Sequence, residues 1–130
     1  VGACELNKEN RCAWTKGKGD NVLVQCIHTS NNLDYVIHEG EKDPLLGWLP
    51  HNKVGDYRPA PLFSMEGKAR NRKEQLVTVI IPFKGENPPA FRFEFLLDSI
   101  GKRNIGYRFI WENGTEDIID TRGQVPCLKL

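Results

Sequence analysis

An all-β fold, an antiparallel β-sandwich with long loops, is predicted for this chain by three features. Short apolar runs recur along it, each bounded by Gly, Pro, Asn or Asp. No stretch keeps an apolar residue at every third or fourth position, as an amphipathic helix would. The phenylalanines at 91, 93 and 95 alternate with Arg92 and Glu94, the period-two pattern of a strand with one buried face.

The elements follow in order. Val22-Leu23-Val24-Gln25-Cys26-Ile27, opened by Gly19-Asp20-Asn21, predicts a first clear strand. Beyond the turn-rich Thr29-Ser30-Asn31-Asn32, Leu33–His38 predicts a second, closed by Glu39-Gly40. Leu76–Phe83 is the strongest, β-branched at most positions, and Pro82 is expected to mark its end or a bulge. Pro88-Pro89 breaks the chain before Phe91–Leu97. Tyr107–Trp111 follows across the 98–106 connection, and Glu116–Asp120 and Val125–Leu130 are candidates for shorter strands. Met65–Gln75 is the one helical candidate, but its charged residues leave no apolar stripe, so an exposed loop is expected there. Its basic residues Lys68, Arg70, Arg72 and Lys73 lack interleaved aromatics and read as a solvated connection.

At 130 residues a single domain, 1–130, is expected, able to bury roughly two thirds of its unfolded surface. A net charge of +1 directs it neither to nucleic acid nor to a membrane surface, and no apolar run approaches the ~20 residues of a bilayer span. The start at Val1-Gly2-Ala3, without methionine, suits a processed product or an excised piece.

Cys4, Cys12, Cys26 and Cys127 form no C-x-x-C pair and have no histidine at zinc-ligand spacing, so no metal and no cofactor is expected. An even number with two at the ends suits disulfides. Three connectivities are open; the preferred one is Cys4–Cys127 with Cys12–Cys26, tying the ends and stapling an N-terminal hairpin. That framework implies a secreted or extracellular protein. The alternative is four reduced thiols in a reducing compartment. Asn113-Gly114-Thr115 is a glycosylation sequon, which nominates Asn113 for modification.

No catalytic constellation stands out. Ser30, Ser64 and Ser99 lack a nucleophile elbow, and no phosphate-binding glycine loop is present. Acidic clusters, Asp34, Glu39, Glu41 and Asp43 and then Glu112, Glu116, Asp117 and Asp120, read as solvated loops, with a weak calcium site or paired glycosidase carboxylates as alternatives. The expectation is a protein that is not an enzyme.

The tryptophans carry the functional signal. Besides Trp14, Trp48 stands in Gly47-Trp48-Leu49-Pro50-His51-Asn52 and Trp111 in Trp111-Glu112-Asn113-Gly114-Thr115. A flat apolar ring beside amide and imidazole groups suits a sugar, whose C–H face stacks while its hydroxyls find polar partners. The same ring can equally plug the end of a core.

Taken in order, Tyr35-Val36-Ile37-His38-Glu39-Gly40, Gly47-Trp48-Leu49-Pro50, the 91–97 strand and Trp111-Glu112-Asn113-Gly114 resemble the starch-binding modules of plant α-glucan, water dikinases. The resemblance covers about residues 22–121. Glu39 stands where that family has the tryptophan of His-Trp-Gly, and the cysteine-bearing ends have no counterpart in it. The resemblance implies an immunoglobulin-like sandwich that grips α-glucan without cleaving it, with His38, Trp48, Trp111 and Asn113 at the matching positions, and a plastid as the alternative compartment.

The leading expectation is therefore a non-catalytic module for a polysaccharide or oligosaccharide. Trp48 and Trp111 would be its platforms, with His38, Asn113 and Lys102 or Arg103 contacting hydroxyls. The alternative is a secreted, disulfide-tied domain that binds a protein partner through Trp48, Leu45-Leu46 and the 66–74 loop.

Overall fold

A computed structural model describes residues 3–70, 74–101 and 103–122. Among them the structure is all-β: thirteen strands in antiparallel sheets, and no helix. No helix is long and apolar enough to cross a membrane. The chain gathers into two compact units, residues 1–88 and 89–130.

In the first unit, β1 (Ala3–Asn7), β2 (Cys12–Lys16), β3 (Asp20–Thr29) and β10 (Leu76–Lys84) form one sheet in the order β1-β2-β3-β10. Interior β3 grows from the Val22–Ile27 run and supplies Leu23, Cys26 and Ile27 to the core, beside Ala13, Tyr35 and Ala60. Buried Asn21 knits the sheet's end together. Its Nδ2 donates to Gly17 O (2.8 Å) and Gly85 O (2.7 Å), and its Oδ1 accepts from Gly17 N (2.8 Å) and Thr15 Oγ1 (3.0 Å). Every such bond offsets the cost of burying an amide. Burial, with Cys26 close by, pushes the Tyr35 phenol up to about 12. Three two-stranded ribbons complete the unit: β4 (Asp34–His38) with β9 (Leu62–Glu66), β5 (Glu41–Lys42) with β6 (Leu45–Leu46), and β7 (Trp48–Pro50) with β8 (Tyr57–Pro59).

Two details depart from the sequence reading. Pro82 neither ends β10 nor bulges it: the strand runs on to Lys84 and its register shifts between Val77 and Thr78. β10 is an edge strand, where a residue without an N–H costs no ladder bond on the open side. The Cys12–Cys26 staple is not formed; Cys12 and Cys26 are free thiols, as is Cys4. Cys12 pairs with Gln25, so Cys26, one residue further on, projects from the opposite face of the sheet. Cys127, the expected partner of Cys4, lies outside the described residues, as do the candidate strand 125–130 and positions 71–73 of the basic loop.

In the second unit, β11 (Phe91–Leu97), β12 (Asn104–Trp111) and β13 (Glu116–Asp120) form a sheet in that order. The register places Phe91, Phe93 and Phe95 opposite Trp111, Phe109 and Tyr107. One face is thus aromatic, with ring centroids of Phe91–Trp111 at 5.4 Å, Phe91–Phe109 at 5.7 Å and Phe95–Tyr107 at 5.7 Å, all tilted as ring quadrupoles favour. The other face carries Arg108 between Glu94 (3.8 Å) and Glu116 (3.7 Å). The alternation of residues 91–95 produced this division, because successive side chains leave a strand on opposite sides.

Candidate functional site

The expected site residues fall into two groups, one in each unit. In the first, His38 ends β4 and Trp48 begins β7, and both reach Glu41 of the short β5. The indole Nε1 of Trp48 donates to Glu41 O at 2.7 Å. The His38 ring lies between two carboxylates, Nε2 at 2.8 Å from Glu66 Oε1 and Nδ1 at 2.8 Å from Glu41 Oε1. These partners, Glu66 before Glu41, hold the imidazole pKa above its ordinary 6.5.

The 38–48 segment closes on itself through two glycines. Gly40 N and Ala60 N both donate to Gly47 O, at 3.0 and 2.8 Å. Gly47 adopts φ +71°, and a methyl added there would lie 2.5 Å from His38 O. Only glycine fits both demands. Trp48 is half-buried against this knot: a methyl on Gly40 would meet Pro59 at 3.3 Å and Trp48 Cζ2 at 3.7 Å. The one donor of Trp48 and Nδ1 of His38 are therefore engaged within their own loop, and Nε2 of His38 is engaged by Glu66 of β9.

The second group sits at one end of the β12–β13 hairpin. Trp111 ends β12, packs on Phe91, and donates from Nε1 to Asp117 Oδ2 at 2.6 Å. Such a charge-assisted bond, with a ring contact on one side, fixes an aromatic without enclosing it. The ring borders an open depression of about 480 Å³ lined by Pro89, Ala90, Trp111, Glu112, Asn113 and Thr115. That volume lies within the roughly 300–1,000 Å³ of small-molecule sites. Apolar walls and a few polar groups from one turn make it fit for a polyol with one apolar face.

Asn113 thus joins Trp111, whereas Arg103 does not. Arg103 lies in the turn before β12, and its backbone N donates to Asp98 Oδ1 at 3.3 Å. The length of β12 separates it from Trp111, about 25 Å at the rise of a strand. Lys102 lies outside the described residues. Pro89, Ala90 and Asp117 were missed by sequence reading. Register, opposite Phe109, places Asp117 on the aromatic face, and nothing in the sequence marks Glu41 and Glu66 as partners of His38. Among the described residues, no cluster of His, Cys, Asp and Glu is arranged to hold a metal ion.

Comparison of the chain with protein-family models, with curated proteins and with solved structures finds no match in any of the three.

Proposed function

We propose that this protein is a non-catalytic carbohydrate-binding module that takes a polysaccharide or oligosaccharide at the Trp111 depression. The observation that carries the reading is a tryptophan braced by Phe91 and Asp117 at the edge of an open hollow, with an amide and a hydroxyl from the same turn beside it. A sugar laid on the ring would meet Asn113 and Glu112 with its hydroxyls. One aromatic platform contributes about 1 kcal/mol beyond area burial, so single-site affinity falls between micromolar and millimolar. The reading includes an immunoglobulin-like arrangement of the sheets, supported by their antiparallel pairing and alternating strands. α-Glucan is the first polymer to test, on the resemblance described above.

The test is retention on immobilised α-glucan, β-glucan and host-type oligosaccharides for wild type, Trp111→Ala and Trp48→Ala. Trp111→Ala should lose at least about tenfold in affinity, a loss of about 1.4 kcal/mol. Equal retention of Trp111→Ala and wild type sinks the reading.

A second reading, a secreted protein-interaction domain, rests on the apolar side chains exposed along residues 45–57 of the first unit. Leu45 is 70% exposed, Leu49 46%, Val54 108% and Tyr57 56%. Apolar groups exposed along one stretch of chain suit a protein contact better than a sugar. Silence across the glycan panel, with loss of partner capture in Leu49→Ser, would favour it.

A further inference from the structure

The turn beside the Trp111 depression has a second chemical property. Gly114 N donates to Trp111 O at 2.9 Å, Trp111 N donates to Thr115 O at 2.9 Å, and Gly114 adopts φ +82°. This is a tight turn closed by a bulge glycine, and it brings residues 111, 113 and 115 to the border of one hollow. Thr115 donates to Asn113 Oδ1 twice, from its backbone N at 3.0 Å and from Oγ1 at 2.7 Å. Asn113 is exposed, and its Nδ2 has no partner among the described residues. Asn113-Gly114-Thr115 is therefore an acceptor triplet already folded with its hydroxyl on the amide oxygen and its amide nitrogen bare.

The geometry points to Asn113 as an N-glycan acceptor whose first sugar, an N-acetylhexosamine, lies on the Trp111 ring of the same chain. The donor is an oligosaccharide joined through C1 to a polyprenyl pyrophosphate and delivered by a transferase. The Asn113 Nδ2–C1 bond forms and the C1–O bond to pyrophosphate breaks. The lipid pyrophosphate leaves with the electron pair, and Nδ2 gives up one proton. Tethering makes the stacking intramolecular, so a platform too weak to hold free sugar at micromolar concentration is still filled. The inference rests on the reading of Trp111 as a sugar platform and adds a regulation of that site. A glycosylated chain carries its own occupant and competes with external polymer.

The experiment passes the full chain through the secretory pathway of a eukaryotic host, as wild type, Asn113→Gln, Trp111→Phe, Trp111→Ala and the Trp111→Ala/Asn113→Gln double variant. Intact mass is read before and after an endoglycosidase that leaves one sugar. Wild type should carry a single glycan and Asn113→Gln none. Wild type trimmed to one N-acetylglucosamine should melt about 3 °C above Asn113→Gln, with altered tryptophan emission. Trp111→Phe should keep part of that difference. Trp111→Ala should be glycosylated yet melt with its double variant. An unmodified Asn113, or a modified one with melting and emission equal to Asn113→Gln, overturns the inference.

Retention on immobilised amylose of wild-type chain made in a host without N-glycosylation separates the two readings and leaves the Asn113 side chain in place. Unglycosylated wild type bound more tightly than the glycosylated chain supports both. Unglycosylated wild type retained while the chain from the eukaryotic host is also unmodified defeats only the tethered sugar. A melting difference without any retention defeats only the external ligand.

Discussion

The indole N–H of Trp48 donates to a backbone carbonyl, Glu41 O, whereas that of Trp111 donates to a side-chain carboxylate, Asp117 Oδ2. The two rings are held for different ends. Trp48 ties together a segment whose other bonds run within it and to its neighbours in the same unit, from Gly47 O to Gly40 and Ala60 and from His38 to Glu41 and Glu66. Trp111 has its N–H taken by Asp117 and its ring braced by Phe91, yet it borders a hollow. A tryptophan that satisfies the backbone holds the fold. Both rings are half-buried, and that of Trp111, positioned by side chains at the end of a hairpin, lies at the edge of the hollow.

The strongest way to break this contrast is Gly47→Ala. The left-handed backbone and the approach of 2.5 Å to His38 O leave no room for a methyl, so the whole 38–60 knot must shift. A loss of about 3 kcal/mol is expected from urea unfolding. Trp48→Ala comes next, at about 2 kcal/mol, less than for a fully enclosed ring because the side chain is half-buried. Trp111→Ala should cost only about 1 kcal/mol while abolishing polysaccharide retention. If the two tryptophan variants lose equal stability by the same denaturant measurement, the distinction collapses.

A smaller effect sharpens the first region. The His38 pKa is raised in the folded state by Glu66 and Glu41, so its contribution is fully present below the ordinary histidine value of 6.5. It is lost as pH rises through the higher folded value. Stability measured from pH 6 to 8 should fall with pH in wild type, and His38→Gln should flatten that slope. The smallest effect lies in the second region, where hydrogen bonds from Arg122 lower Asp120 to about 2. Its contribution is present above the ordinary 3.8 and disappears as pH falls towards 2. Asp120→Asn should remove a shallow acid-limb slope and leave retention on glycan unchanged.

Much of the strand map was legible before any coordinates. The runs at 22–27, 33–38, 76–83, 91–97 and 107–111 all lie within or nearly match strands, because β-branched and aromatic residues with period-two spacing announce a half-buried pleated surface. The short ribbons at 41–46 and 48–59 were not legible. Two or three residues are too few for a period, and these ribbons are organised by Gly47 and by the contact of Glu41 with His38 of β4. Of the site, the Trp111 turn was readable from Asn113-Gly114-Thr115, since an Asn-Gly pair after a strand specifies a tight reversal. The grouping of Arg103 with Asn113 was misleading, because nearness in sequence across a strand is distance in space.

Local stereochemistry determined what the sequence could settle alone: the all-β class, the alternation that makes one face of 91–97 aromatic, and the turn at 112–114. Those features depend on neighbours a few residues away. Sheet order and register were decided only by the tertiary structure. They put Cys12 and Cys26 on opposite faces, left Pro82 on an edge, folded Trp48 against Glu41 and opened Trp111 to a hollow. Each is a long-range pairing, and a shift of one residue in any of them would reverse which side chains face outward.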